Sequence, residues 1–269
     1  MNNQSLSLFN RRYKAIRKEK SYYNKFIFNG HFTVFLLILL GAFIFGYGEW
    51  LQHIPQHIDY ALFASIAVAL VSLFPIRTLL KDADKIFLLP FEKHMKDYMQ
   101  VSLIYSYSSR IFLQVILLII LFPLFYKLND NHFAFYIVFA ISAIIFPYLG
   151  LLVKWQWLKL NLSSWTINLL LFVLFGITFY LILRFHNYFA IIFIFIVGVL
   201  LLILKLNSKK QLFPWERMIA IEQQKHTNYY KFVNMFTDVK HLRESAVRRS
   251  YLVFILPTPK GNKFNENRM

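Results

Sequence analysis

Histidine and carboxylate side chains at short spacing are the first candidates for chemistry in this sequence. His53 and His57 have the i, i+4 spacing of a helical metal site, but Pro55 lies between them and only Glu49 is near enough to add a ligand. Glu222 and His226 share that spacing, for which a solvent-exposed pair on one helix face is the ordinary explanation. We therefore expect no metal site and no cofactor bound by this chain.

Motifs for catalysis and for nucleotide binding are absent from the sequence. It contains no H-E-x-x-H, no G-x-S-x-G and no G-x-x-x-x-G-K-[ST]. It also contains no cysteine, which excludes disulfides and thiolate nucleophiles. We expect that the chain is not an enzyme and that any ATP is bound by a separate subunit.

The composition is that of a membrane protein. Of the 269 residues, 58% are hydrophobic and 16% are charged, whereas a soluble domain carries about 25% charged residues. The net charge of +17 would suit a nucleic-acid partner. Basic residues of membrane proteins, however, collect in cytoplasmic loops, so topology alone explains the excess and we expect no nucleic-acid partner.

Six segments approach the roughly 20 apolar residues that a helix needs to cross a bilayer. The third is short, so its helix is expected to begin before Arg110. The predicted fold class is therefore all-α, a polytopic membrane protein with about six transmembrane helices. The segments are Phe26–Tyr47, Ile58–Ile76, Ile111–Tyr126, Phe133–Val153, Trp165–Leu183 and Tyr188–Leu204.

The orientation follows from the positions of Lys and Arg. In one set of alternate loops only Lys127 and Arg184 occur, and all other Lys and Arg lie in the opposite loops and the two termini. Both termini are therefore expected to be cytoplasmic, in a multi-pass membrane protein whose surroundings are lipid. The expected organisation is a basic arm (1–25), a transmembrane domain (26–206) with a cytoplasmic amphipathic loop (77–110), a helical tail (207–256) and a disordered end (257–269).

Small and mildly polar residues within the spans suggest helix packing. Ala42 and Gly46 are four residues apart, as are Ala61, Ser65 and Ala69, so each set either lets helices approach closely or reflects chance. Polar side chains within the spans are expected to bond between helices more often than to line a path. They are Thr33, Ser65, Ser72, Gln114, Ser142, Asn168 and Thr178.

The first cytoplasmic loop contains the stretch KDADKIFLLPFEKHMKDYM, residues 81–99. Its apolar residues recur at helical spacing on both sides of Pro90, which predicts two short amphipathic helices with an elbow at residues 89–91. Such helices either lie on lipid or dock against a protein, and the mixture of acids and bases favours a protein. The predicted apolar face comprises Leu79, Leu80, Ala83, Ile86, Phe87 and Phe91, then Met95, Tyr98, Met99 and Ser102.

The tail begins with a second predicted amphipathic helix. Pro214 suits its first turn, and its apolar face comprises Trp215, Met218, Ile219, Tyr229, Val233 and Phe236. Thr237 or Asp238 is expected to cap a further helix.

Two stretches resemble the permease subunit of Ecs-type ABC transporters, the EcsB family. They are FPIRTLLKDADKIFLLPFEKHM (74–95) and FPWERMIAIEQQKHTNYYKFVNMFTDVKHL (213–242), and the resemblance extends from about Arg11 to Leu256. Its specific parts are the arginine at the end of the second span, the A-D-x-x-F-L-L-P-x-E core and the F-T-D-V turn.

The resemblance implies an exporter-like subunit of the bacterial plasma membrane that pairs with a cytoplasmic ABC ATPase, which binds the ATP. A second permease copy is a further expected partner. It also implies links to protein secretion and processing, with a substrate that the family does not specify. The implied ATPase-coupling residues are Arg77, Ala83, Asp84, Phe87, Leu88, Leu89, Pro90, Glu92 and Met95, and the implied tail interface is Trp215, Phe236, Thr237, Asp238 and Val239.

Family members continue beyond this tail into further hydrophobic segments, so a truncated product is one expectation for this chain. The alternative function is a membrane scaffold or regulator that does not transport and that binds a protease or secretion factor through its tail.

Overall fold

The structure, a computed structural model, describes residues 3–55, 57–88, 90, 92, 95–128, 133–185, 189–208 and 211–237. These residues form nine helices and no strand. The helices are α1 (Asn3–Ile27), α2 (Gly30–Gln52), α3 (Tyr60–Ser72), α4 (Asp84–Phe87), α5 (Met95–Leu128), α6 (Phe133–Lys159), α7 (Ser164–Arg184), α8 (Phe189–Ser208) and α9 (Trp215–Val233). The predicted all-α class is confirmed for this part of the chain.

Five helices of the described chain are long and apolar enough to cross a membrane: α2, α5, α6, α7 and α8. The second predicted span, by contrast, is helical only from Tyr60 to Ser72. These 13 residues cover about 20 Å, less than the roughly 30 Å of a hydrocarbon core. The helix ends there because Pro75 lacks a backbone donor and disfavours helical geometry at Phe74.

The third span extends well beyond its apolar segment. Helix α5 has 34 residues, about 51 Å at 1.5 Å per residue, and Arg110 lies inside it. This confirms that the helix begins before Arg110. Its first half buries Met95, Tyr98, Met99 and Ser102, which confirms these four residues of the predicted apolar face, whereas Phe91 lies outside the described residues.

Aromatic side chains dominate the core between the membrane-spanning helices. Phe146 of α6 lies between Phe193 of α8 and Phe179 of α7, with ring centroids 3.9 Å and 5.7 Å away. Phe175 packs against both Phe179 and Phe193. Gly150 gives Phe175 its place, because a Cβ at that glycine would lie 2.8 Å from the end of the ring.

One of the two small-residue faces is a helix contact. Helix α3 packs most extensively against α7, and Ala61, Ser65 and Ala69 are buried there. The face with Ala42 and Gly46 is exposed, and α2 buries none of its residues. Among the polar residues of the spans, Gln114 donates to Ser72 of another helix at 3.0 Å, whereas Ser65 and Thr178 bond within their own helices.

A second core lies at one end of the molecule, in what we call the basal bundle: α1, α4, α9, the first half of α5, the last turns of α6, and residues 73–81. This core joins residues from all of these elements except α4, including Phe9, Phe74, Tyr98, Leu151 and Met218. The aromatic rings of Phe9 and Tyr98 meet edge to face at 5.4 Å. The basal bundle therefore has its own apolar interior, separate from that of the spans.

The predicted first amphipathic helix of the loop is wrong over most of its length. Helix α4 has only four residues, and Leu79 and Leu80 precede it in non-helical backbone, with Leu79 at a φ of 56°. Both leucines are buried, but Ile86 and Phe87 are each 76% exposed, so these residues do not share a face. The turn at Leu79 sends the leucines into the basal core and leaves α4 at its surface.

Replacing Gly150 with alanine tests the close packing of α6 on α7. We expect Gly150→Ala to lower the free energy of unfolding by about 1–3 kcal/mol, because Phe175 is fully buried and cannot move aside without strain. Thermal unfolding of the chain in detergent measures the change.

The matched control is Gly198→Ala in α8, where a Cβ would meet nothing within 4 Å. There we expect no loss and a gain of up to about 1 kcal/mol from helix propensity. Equal effects of the two substitutions would contradict the packing described here.

Candidate functional site

Residues 73–81, called the linker segment below, connect α3 to α4 and form the centre of the basal bundle. They are neither helical nor paired in a sheet, yet Phe74, Ile76, Thr78, Leu79 and Leu80 are all buried. A buried peptide group that lacks a hydrogen bond costs about 1–3 kcal/mol. The polar atoms of this backbone therefore need partners from elsewhere in the fold.

Side chains of four helices donate to the carbonyl groups of the linker segment. Lys154 of α6 donates to Phe74 at 2.9 Å, and Lys225 of α9 donates to Ile76. Helix α5 supplies two hydroxyl groups and α1 supplies a guanidinium. The bonds are Ser102 to Arg77 at 2.6 Å, Tyr98 to Thr78 at 2.7 Å, and Arg12 to Leu79 at 3.3 Å.

Side-chain oxygens accept from the N–H groups of the same segment. The amide of Arg77 donates to Ser106 at 2.7 Å, and the amide of Thr78 donates to the buried carboxylate of Glu222 at 2.9 Å. The amide of Lys81 donates to Asp84 at 2.7 Å. The linker segment is thus held by side chains where a helix would hold its own backbone.

An ion pair between Arg12 and Asp84 joins α1 to α4. The guanidinium lies 2.6 Å from the carboxylate, and both side chains are largely buried. Arg12 also donates to the Tyr98 hydroxyl at 3.3 Å. Burial lowers the pKa of Arg12, but the hydrogen bonds and charges of Asp84 and Tyr98 together outweigh it, so the pKa is raised.

Two contacts attach the loop to the chain that leads into α9. Glu92 accepts from the amide of Phe213 at 2.7 Å, and Lys85 lies 3.6 Å from Glu216. Helix α4 is therefore fixed at both sides while Ile86 and Phe87 point outward. We call this exposed apolar pair the α4 tip.

Some of the residues implied for ATPase coupling anchor the loop, and others are exposed or half-buried. Asp84, Glu92 and Met95 anchor the loop, and Arg77 contributes its backbone to the linker segment while its side chain lines a cavity. Phe87 and Pro90 are exposed, Ala83 is the exposed residue before α4, and Leu88 is half-buried against the basal core. Leu89 lies outside the described residues.

The implied tail interface is divided in the same way. Trp215 is buried in the basal core, so it is not part of an open surface. Phe236 contacts Phe32 of α2 with ring centroids 6.0 Å apart, and the amide of Thr237 donates to Val233 at 3.1 Å. Asp238 and Val239, and with them the predicted second tail helix, lie outside the described residues.

Several residues of this network were not predicted as site residues. Glu222 was expected in a solvent-exposed pair with His226, but it is buried, because it accepts from the linker segment as well as facing His226 at 3.8 Å. In the sequence analysis Lys154 and Lys225 served only to predict the orientation of the chain in the membrane. The available signal was the spacing of Tyr98, Ser102 and Ser106, three polar groups four residues apart on one face of an apolar helix.

The described residues contain no group of three or more His, Asp or Glu side chains that could hold a metal ion. His53 and His57 are both exposed. The arrangement therefore offers hydrogen bonding and charge pairing, and no residue set for a metal-assisted reaction within the part of the chain that the structure describes.

The five long apolar helices define this chain as a multi-pass membrane protein. The sequence model of the EcsB family, described as "Bacterial ABC transporter protein EcsB", matches residues 6–269, and the chain belongs to this family. With this family match, the chain is a multi-pass protein of the bacterial plasma membrane. The chain is also similar to Protein EcsB of Bacillus subtilis (strain 168), with 29% identity over 259 residues. That alignment covers 94% of this chain and 63% of the relative, so the chain spans less than two thirds of the relative's length. No solved structure matches the chain.

Removing the arginine of the ion pair tests whether it holds the loop. We expect Arg12→Ala to lower the free energy of unfolding by about 2–4 kcal/mol, because Asp84 then stays buried without its partner. Thermal unfolding in detergent measures this loss. The exposed neighbour Arg11→Ala is the control and should change stability by less than about 0.5 kcal/mol; equal losses would contradict a structural role for the pair.

The half-buried lysine of α9, Lys225, gives stability a pH dependence. Burial lowers the pKa of Lys225 to about 8; Glu222 opposes this shift, and Arg77, Arg110 and Lys20 reinforce it. In the unfolded chain a lysine titrates near about 10.4, so between these values the unfolded state binds more protons and stability rises with pH.

We therefore expect the wild type to gain stability relative to Lys225→Met as the pH rises from about 8 to about 10. Unfolding temperatures measured across this range provide the test. Lys231→Met, at an exposed position of the same helix, controls for the loss of one charge. Parallel pH profiles of wild type and Lys225→Met would contradict the assignment.

Proposed function

We propose that this chain is the membrane permease subunit of an ABC transporter, exporter-like, whose basal bundle faces the cytoplasm and receives a separate ATPase. The observation that carries the proposal is the α4 tip. Ile86 and Phe87 are each 76% exposed on a four-residue helix whose other residues are tied into the bundle. An exposed aromatic and aliphatic pair on a fixed support suits insertion into an apolar groove of a partner.

The connections of α4 explain how docking can reach the membrane. On one side Asp84 bonds to Arg12 and to the amide of Lys81, which ends the linker segment leading to α3. On the other side the chain passes Pro90 and Glu92 into α5, which is continuous into its apolar half. A displacement of α4 by a partner therefore acts on two helices that enter the bilayer.

The charge distribution supports a cytoplasmic position for the basal bundle. Basic residues concentrate in α1, in residues 77–110 and in residues 205–269. Of these parts, α1, the first half of α5 and α9 belong to the basal bundle. The loops at the other end contain only two Lys or Arg residues, Lys127 and Arg184. Under the positive-inside rule the bundle and both termini are then on the cytoplasmic side.

The division of labour follows from what the chain lacks in sequence. It has no P-loop, so in this proposal the ATPase subunit binds and hydrolyses ATP. The family resemblance adds a link to protein secretion and processing and leaves the substrate open. A second permease copy completes the membrane part of the complex.

Charge at the α4 tip should prevent binding of the ATPase. We expect Phe87→Asp to reduce co-purification with the ABC ATPase of the same bacterium by at least about tenfold, because the aspartate would lose its water inside an apolar groove. Affinity capture of the tagged full chain, with quantification of the bound ATPase and its activity, measures the effect.

Met235→Asp is the matched control, since Met235 is 78% exposed and lies beyond the other end of α9. It should retain the ATPase. Unchanged ATPase recovery with Phe87→Asp would remove the α4 tip from the interface. If the wild-type chain retained a protease or secretion factor and never an ATPase, a membrane scaffold would be the better description.

A further inference from the structure

A basic cleft lies between α1, α5, α9 and the linker segment, separate from the α4 tip. It consists of two cavities of about 440 Å³ and 560 Å³ that share Ile16, Lys20, Arg77 and Tyr105 in their walls. Its cationic side chains come from four different parts of the chain. They are Arg17 and Lys20 of α1, Arg77 of the linker segment, Arg110 of α5 and Lys225 of α9.

In the walls of the two cavities the Lys and Arg side chains outnumber the carboxylates by five to one. Within the described part of the chain, no carboxylate lies within 4 Å of any of the five cations. Glu222 is the one acidic residue in the walls of the two cavities, and it already accepts from the amide of Thr78 and faces His226. The Nε atom of Arg110 is buried without a hydrogen-bond partner.

The fold holds these cations together against their repulsion. Burial lowers the pKa of Lys20 and the charge of Arg77 lowers it further, while Glu222 and Glu19 oppose the shift. Burial also lowers the pKa of Lys225, which Glu222 opposes and which Arg77, Arg110 and Lys20 reinforce. Cations that are kept close, partly desolvated and in excess over the carboxylates form a site that an anion would stabilise.

The shape of the donors favours a phosphate group. Arg77 and Arg110 each present a planar fork that can bond two phosphate oxygens, and Lys20 adds a third positive charge from the facing helix. Ser108 and Ser109 also line the second cavity, but their hydroxyls donate to carbonyls of α5, so the bonds to an anion come from the cations. Apolar side chains, Ile16 and Phe232, complete the first cavity.

The depth of the cleft favours a phosphate at the membrane surface. Arg110 directly precedes Ile111, where the apolar half of α5 begins, and Leu113, three residues after Arg110 and so on the next turn of the same face, is 48% exposed. A group bound at Arg110 therefore lies level with lipid headgroups, and an attached acyl chain could follow the exposed face of α5.

We propose that the basic cleft binds a phosphate-bearing anion, held between Arg77, Arg110 and Lys20, at the boundary between the basal bundle and the bilayer. The same chemistry is available from an anionic phospholipid and from a free phosphate. This site is independent of the proposed ATPase contact, since neither Ile86 nor Phe87 lines it.

The test uses the full chain in a neutral detergent, with its unfolding temperature as the readout. The probes are short-chain phosphatidylglycerol, short-chain phosphatidylcholine and inorganic phosphate, each titrated at constant ionic strength. We expect phosphatidylglycerol or inorganic phosphate to raise the unfolding temperature, and phosphatidylcholine to have little effect. A response to phosphatidylglycerol alone identifies a lipid headgroup, and an equal response to inorganic phosphate identifies a free phosphate.

Substitutions then assign the response to the cleft. We expect Arg77→Gln and Arg110→Gln each to weaken the response at least about tenfold in apparent affinity, because each removes a charge-assisted bond. Lys20→Gln is the variant to use if either arginine variant fails to fold. Lys14→Gln, an exposed position of the same helix that lines neither cavity, controls for the loss of one positive charge.

Two results would overturn the proposal. One is a wild type that responds to neither anionic probe. The other is a response that is the same in wild type, Lys14→Gln and the folded cleft variants, since binding would then depend on net charge alone.

Discussion

The basal bundle depends on one constraint: a stretch of chain is buried without forming a helix, so its peptide groups must be satisfied by side chains. Pro75 ends α3 early, and the residues of the linker segment enter an apolar core with backbone N–H and C=O groups that no helix or sheet satisfies. Lys154, Ser102, Tyr98 and Glu222 meet those needs from three helices. Each bond also fixes the distance of its helix from the linker segment, so the helix arrangement follows from the backbone it surrounds.

The linker segment connects the first cytoplasmic loop to the membrane-spanning helices through hydrogen bonds. A continuous helix would bond its backbone to itself. The backbone of the linker segment instead bonds to side chains of α1, α5, α6 and α9. The Arg12–Asp84 pair places α4 in the same network. Helix α4, the linker segment and the four helices around it therefore form one hydrogen-bonded unit, while the apolar helices beyond it pack through closely fitted aromatic side chains.

Hydropathy and charge predicted the features that depend on local composition. The apolar helices, the start of α5 before Arg110 and the buried face with Met95 and Tyr98 all follow from patterns within one helix. The structure of the loop was harder to predict. Leu79, Leu80, Ile86 and Phe87 fit a helical period, but the two leucines are buried and the other two residues are exposed. Lys225 and Glu222 could not be assigned at all, since their partners lie 149 and 144 residues away in the sequence.

These long separations also set the order in which the protein can be completed during synthesis. At about 5–20 residues per second, the ribosome adds Lys225 roughly 7 to 30 s after Ile76. During nearly all of that interval Lys225 and Glu222, the folded-state partners of the Ile76 carbonyl and the Thr78 amide, have not been synthesised, so water is the partner available to both groups. We therefore expect the linker segment to stay hydrated at the aqueous surface until α9 has been synthesised, and to be buried only then.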